Sequence, residues 1–164
     1  MKRETLFVVI PMTSAFFAFL LVNSSIVAAT PLSSQNGTIS SIQNGPDGKP
    51  AWKVSGTWNL INQFLRIPKP IPTFNASFDM MKLDGSAMHK HTITATITSA
   101  DFNIAGKPST RTYSGTATIS MKEGSVSDVP IVIKLSSDGN VSIMPDRVKT
   151  KDHFGNTPIQ GKTN

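Results

Sequence analysis

Two histidines separated by one residue are the first side chains in this sequence with clear chemical potential. His89 and His91 flank Lys90 near the middle of the 164-residue chain. Residues two positions apart on a β-strand project from the same side, roughly 6.5–7 Å apart along it. Both imidazoles can therefore turn toward one metal ion, and zinc and copper both accept imidazole nitrogen. The pair predicts a candidate transition-metal site.

The phase of this pair predicts that both side chains face the core. The stretch Phe74–Thr98 alternates apolar and polar residues on both sides of Asp84-Gly85, which predicts a β-hairpin with its turn at that dipeptide. Such a hairpin places Met80 opposite His89 or His91, and a thioether beside imidazoles suits copper. The inward row on the return strand continues through three apolar residues, namely Ile93, Ala95 and Ile97.

A third histidine stands near the C-terminus, in the sequence Asp152-His153-Phe154-Gly155. In a closed antiparallel meander the last strand returns beside the early strands, so His153 could complete a three-histidine site. Asp152 could then act as an oxygen ligand or orient one imidazole. The alternative is that the histidines only hydrogen-bond to backbone groups or water at the end of the sheet.

Features typical of enzyme active sites are scarce, and we predict a non-catalytic protein. The chain has no cysteine, which excludes disulfides, thiolate metal sites and cysteine nucleophiles. It also lacks a Gly-x-Ser-x-Gly motif, and Asp47, Asp84 and Asp138 each precede glycine, as in turns. The net charge of +6 comes from scattered basic residues without an aromatic-rich basic patch, so no nucleic-acid partner is predicted.

The N-terminal segment predicts export. Residues 1–29 combine a short basic start with an apolar run, and Val27 and Ala29 suit cleavage after Ala29. The alternative is an uncleaved anchor, and a membrane is predicted as a partner only in that case. A secreted or cell-envelope location follows. After this segment, glycosylation sequons begin at three asparagines, Asn36, Asn75 and Asn140.

The rest of the pattern predicts an all-β domain. We expect a flexible tether over residues 30–50, with one short edge segment near Thr38–Ile42, followed by a single β-domain over 51–164 with six or seven strands. An antiparallel meander of this kind closes into a small lipocalin-like barrel, and a β-sandwich is the alternative. Prolines in the range 62–73 predict an extended connection or sheet edge in which Phe64, Leu65 and Ile67 close one end of the core.

Two local features of the later strands are also predicted. The apolar parity changes after Ile97, which predicts a β-bulge near Ser99 and inward-facing Ala100, Phe102 and Ile104. Ser137-Asp138-Gly139 is typical of a three-residue hairpin loop with glycine in the left-handed region. That loop would pair Leu135 with Val141.

Three segments together resemble a group of secreted β-rich proteins of ammonia-oxidising archaea. They are the Asp-Gly-x3-His-x-His segment ending at His91, the VPIVIKL strand and the DHFGNTPIQG tail. The resemblance spans roughly Trp52 to Gly161. It implies an archaeal cell-envelope location and a pairing of His89 and His91 with His153. The chain departs from the group at Gln160, where an aromatic residue is expected.

Three functions are compatible with these observations. The first is a secreted β-domain that binds copper or zinc through His89, His91 and His153 and buffers or delivers the metal. The second is a structural or interaction protein that contacts cell-envelope components and has no metal. The third is a lipocalin-like carrier of a small apolar ligand, with four aromatic residues lining its cavity, namely Trp52, Trp58, Phe74 and Phe78.

Overall fold

The computed structural model describes residues 33–63, 71–105 and 107–164, which form eight antiparallel strands joined by turns. Each strand pairs with the next along the chain, and the last pairs with the first, which closes a barrel. The predicted closed antiparallel barrel is confirmed, and the predicted count of six or seven strands is wrong. The strands are β1 (Ser33–Asn44), β2 (Pro50–Gln63), β3 (Ile71–Lys82), β4 (Met88–Asn103), β5 (Thr110–Met121), β6 (Gly124–Ser136), β7 (Asn140–Pro145) and β8 (Ile159–Thr163).

The additional strand lies where a flexible tether was predicted. β1 pairs with β2 over its whole length and with β8 near its middle, so it belongs to the barrel. Its inward positions include Gly37, Ile39 and Gln43, all of them buried. Only Ile39 is a large apolar residue, so the strand shows little hydrophobic alternation. A side chain at Gly37 would collide with the backbone carbonyl of Lys162 on β8, which explains the glycine.

Alternating side chains from all eight strands fill the barrel, as expected for a small closed sheet. The predicted hairpins have the expected register, since Met80 pairs with His89 and Leu135 pairs with Val141. Gly139 has φ 83°, the left-handed conformation that its loop requires. Large core residues below 2% relative exposure include Leu60, Phe74, Phe78, Met80, Ile93, Ile119, Ile131, Ile133, Ile143 and Ile159.

The end of β4 combines one confirmed prediction with one that is wrong. The register between β4 and β5 shifts between Ile97 and Ser99, which confirms the β-bulge. Ala100, Phe102 and Ile104, however, are exposed rather than inward-facing. The reason is that the β3–β4 pairing ends at Thr96, so the rest of β4 pairs with β5 alone. There the guanidinium of Arg111 stacks over the Phe102 ring, with its central carbon 4.4 Å from the ring centroid.

Several predictions fall outside the described residues. They include the signal segment 1–29 and the core contacts of Phe64, Leu65 and Ile67. The flanks of the proline-containing range belong to strands, since β2 continues to Gln63 and β3 begins at Ile71. In the described part of the chain, no helix has the length and apolar character needed to span a membrane.

Candidate metal centre

The barrel brings all three histidines of the chain together at one end. His89 and His91 lie at the start of β4, and His153 lies in the β7–β8 connection, defined here as residues 146–158. Nε2 of His153 is 3.0 Å from Nε2 of His91 and 3.2 Å from Nε2 of His89. The predicted convergence of the three imidazoles is therefore confirmed.

These distances match those between ligands of one metal ion. Two nitrogens bound tetrahedrally at about 2.0–2.1 Å from one ion lie about 3.3 Å from each other. In the structure, one ligand atom from each of the three histidines falls within 4.8 Å of the other two. Small side-chain adjustments would therefore place all three nitrogens around a common ion.

A backbone carbonyl fixes the orientation and tautomer of His91. Nδ1 of His91 lies 2.6 Å from the carbonyl oxygen of Ser120 on β5. A carbonyl only accepts hydrogen bonds, so Nδ1 carries the proton, and in the neutral ring Nε2 carries the lone pair that a metal ion can bind. Metal-binding histidines are commonly held in this way, with the second ring nitrogen donating to a carbonyl or carboxylate.

Aromatic rings surround the cluster on the core side. The His91 ring is 5.6 Å from the Phe78 ring and 5.1 Å from the Phe154 ring, centroid to centroid. The Trp52 and His89 rings are nearly perpendicular, with their centroids 5.1 Å apart. His91 is 1% exposed, while His89 and His153 are partly exposed. The site therefore has an apolar wall on the core side and is accessible to solvent through the other two imidazoles.

Burial keeps two of the imidazoles neutral. It lowers the pKa of His153 from 6.5 to about 4, with further contributions from charge on His91 and His89. Burial also lowers the pKa of His91, and the hydrogen bond to Ser120 opposes this shift in part. Neutral imidazole is the form that binds metal, so at pH 7 these two ligands need not lose a proton first.

The β7–β8 connection is anchored so that His153 points at β4. Gln43 of β1 is 1% exposed; it donates to the Pro158 carbonyl at 3.2 Å and accepts from the Thr157 hydroxyl at 2.8 Å. Lys151 and Asp152, immediately before His153, both have positive φ, at 51° and 55°. Non-glycine residues adopt this conformation at a cost of order 1–3 kcal/mol. The surrounding contacts must therefore hold it in place.

The two other predicted ligands, Asp152 and Met80, have different surroundings in the structure. Asp152 binds the side chain of Arg147, with Oδ1 accepting from Nε at 2.6 Å, and its carboxylate is not part of the histidine cluster. Met80 pairs with His89 across the hairpin, as predicted, and is 1% exposed.

Two residues that shape the site were missed in the sequence. Ser120 acts through its backbone carbonyl, a group that every residue type has, so the sequence does not indicate this role. Gln43 shares the inward parity of Ile39 on β1, so a buried polar role could have been inferred had β1 been recognised as a strand.

The sequon asparagines lie away from the histidines. Asn36 and Asn140 are exposed, and Asn75 is partly exposed on the outer face of β3. The predicted outward orientation of all three is confirmed. Their glycosylation stays a prediction.

The metal-free protein should lose stability between pH 6.5 and about 4. In this window an unfolded His153 binds a proton, whereas the folded state, with its pKa at about 4, resists protonation. Stability therefore rises with pH across the window, by about 1–2 kcal/mol once the partial solvent exposure of the ring is taken into account. Urea unfolding at pH 7.0 and 4.5 measures the difference, and His153→Asn should reduce it. An equal pH dependence in the variant would contradict this assignment.

The candidate site thus consists of three imidazoles from two parts of the chain, one of them fixed in its tautomer by a carbonyl. Its donors are of one chemical type, which suits zinc and copper. Comparison of the chain with models of protein families, with curated proteins and with solved structures finds no match in any of the three.

Proposed function

We propose that this protein binds one transition-metal ion through the Nε2 atoms of His89, His91 and His153. The proposal rests chiefly on one observation, which is that Nε2 of His153 lies 3.0 and 3.2 Å from the same atom of the other two histidines. Three imidazoles on a rigid barrel provide a preorganised site, and preorganisation lowers the cost of binding.

Copper is the first candidate for the metal and zinc the second. Imidazole ligands suit both ions. Met80 pairs with His89 across the hairpin, so the two side chains project from the same face of the sheet, and thioethers suit Cu(I). Parallel titrations with both ions distinguish the candidates.

The proposed role is non-catalytic buffering or delivery of the metal outside the cell. His89 and His153 are partly exposed, which gives an incoming ligand access to the ion. The apolar N-terminal segment, the three sequons and the resemblance to archaeal secreted proteins support a secreted, cell-envelope location. A protein in the envelope would be in direct contact with metal ions from the surrounding medium.

The other two candidate functions have weaker support. Trp58, Phe74 and Phe78, which were expected to line the cavity of an apolar-ligand carrier, belong to the packed hydrophobic core. A structural or interaction role without metal remains as the outcome of a negative binding experiment.

Metal titration of the full chain tests the proposal. We expect one equivalent of Cu²⁺ or Zn²⁺ to bind in competition with a chromophoric chelator. A triple His89→Ala/His91→Ala/His153→Ala variant should lose this binding, whereas Lys90→Ala, which changes the exposed residue between the two strand histidines, should retain it. Equal binding by the parent and the triple variant would refute the proposal.

A further inference from the structure

We propose that the bound metal keeps one coordination position open, and that this position takes a small carboxylate anion from a basic cavity beside His153. This inference rests on the proposed metal site and extends it from the ion to a second ligand. It assigns an exogenous-ligand site to the surface between the β5–β6 turn and the β7–β8 connection.

The first support is the small number of nitrogen and oxygen donors that the described residues bring to the site. In the described ranges, the group of neighbouring metal-ligand atoms contains the three histidines and no carboxylate. The nearest acidic residue in the sequence, Asp152, is engaged by Arg147 at 2.6 Å. Zinc is usually four-coordinate, and a site with three protein ligands keeps its fourth position for water or substrate.

The second support is a cavity that shares His153 as part of its wall. It has a volume of about 420 Å³, within the range of small-molecule sites, and lies between the turn after β5 and the β7–β8 connection. Because Phe78 and Phe154 pack against His91 and Trp52 packs against His89, the core side of the cluster is closed. The cavity at His153 therefore offers an approach from solvent.

The third support is the charge of this cavity. Lys122, Lys149 and Lys151 line it, against a single acidic residue, Glu123. All three lysines are exposed, and none has an ion pair within the described part of the chain. A positively charged wall next to a divalent cation attracts an anion, and the focused field raises its local concentration.

A second cavity also borders His153, and it is less suited to an anion. It has a volume of about 460 Å³ and is lined by Arg147 and Asp152, which neutralise each other in an ion pair. The charge difference favours the cavity with the three lysines. A carboxylate can contact both the metal ion and the lysines of that cavity, because one oxygen can bind the metal while the other accepts a hydrogen bond from a lysine ammonium.

The experiment uses the full chain loaded with Co²⁺, whose visible spectrum reports its coordination. Metal analysis first establishes that one equivalent of cobalt is bound. Acetate is then titrated as the carboxylate probe, and azide as an independent probe of an open position. We expect a saturable spectral change with both anions.

Matched variants locate the anion site. Lys122→Ala/Lys149→Ala should weaken acetate binding by about fivefold or more, because two of the three ammonium groups of the cavity are lost. Lys53→Ala/Lys134→Ala removes the same charge from exposed strand positions outside this cavity and should change the affinity less than twofold. Cobalt stoichiometry should be the same in both variants and the parent.

Each failure has its own signature. A protein that binds one cobalt but shows no spectral response to acetate or azide overturns the open position. A response of equal affinity in both double variants overturns the role of the basic cavity. If no cobalt, zinc or copper binds at all, the proposed function has failed and this inference falls with it.

Discussion

His153→Ala should lower the affinity for copper or zinc by about 100-fold or more. The substitution removes one of three nitrogen donors, and even changes to groups that only orient metal ligands cost 10–100-fold in affinity. Nε2 of His153, in the β7–β8 connection, lies 3.0 Å from Nε2 of His91 and 3.2 Å from Nε2 of His89 on β4. Competition titration against a chelator of known affinity measures the change.

Asp152→Asn is the matched control for His153→Ala. It changes the adjacent residue and removes a carboxylate that binds Arg147 instead of joining the histidine cluster. We expect a change in metal affinity of less than about threefold. Because His153 is partly exposed, the barrel of the alanine variant should still unfold cooperatively, which thermal denaturation verifies. If Asp152→Asn weakens binding as strongly as His153→Ala, the carboxylate is itself a ligand.

A chain that begins at residue 51 should fail to fold. This truncation removes β1, which pairs with both β2 and β8 and thereby closes the barrel. Two strand edges would be left open, and the core side chains of β2, including Val54, Trp58 and Leu60, would lose their neighbours on one side. We expect no cooperative unfolding transition and a strong tendency to aggregate.

The matched comparison is a chain that begins at residue 33 and retains all eight strands. It should unfold in one cooperative transition in urea. Tryptophan fluorescence can monitor this transition, since Trp58 is 3% exposed in the folded barrel and becomes exposed on unfolding. The result that would contradict the structure is an equal unfolding midpoint for the two chains. In that case residues 33–50 would be the tether that their composition predicts.

The fold was predictable where burial alternates strongly along a strand. β3 to β7 follow this pattern, and the pairing of Leu135 with Val141 came from the loop type and parity alone. β1 was predicted only as a short edge segment because its inward positions carry Gly37 and Gln43, which are buried by close strand contact and side-chain hydrogen bonds and are not apolar. At the end of β4 the prediction failed in the opposite direction. Apolar residues there were expected to be buried, but they are exposed because they lie beyond the part of β4 that pairs with β3.

The site was predictable to the extent that strand phase determines it. His89 and His91 share the parity of Ile93, and this parity alone predicted that they face the interior. The position of His153 depends on the path of a connection outside the strands, which no periodicity reveals.

The role of Ser120 depends on a backbone carbonyl. Asp152 contacts Arg147 in the structure, and a role of its carboxylate at the metal stays a prediction.

X-ray absorption spectroscopy of the metal-loaded protein tests the central claim most directly. For one equivalent of bound zinc or copper, we expect three imidazole nitrogens at about 2.0–2.1 Å in the first coordination shell. In His153→Ala the imidazole contribution of any residual bound metal should fall to two. A parent spectrum with fewer than three imidazoles, or a spectrum unchanged by His153→Ala, would contradict a metal site built from these three histidines.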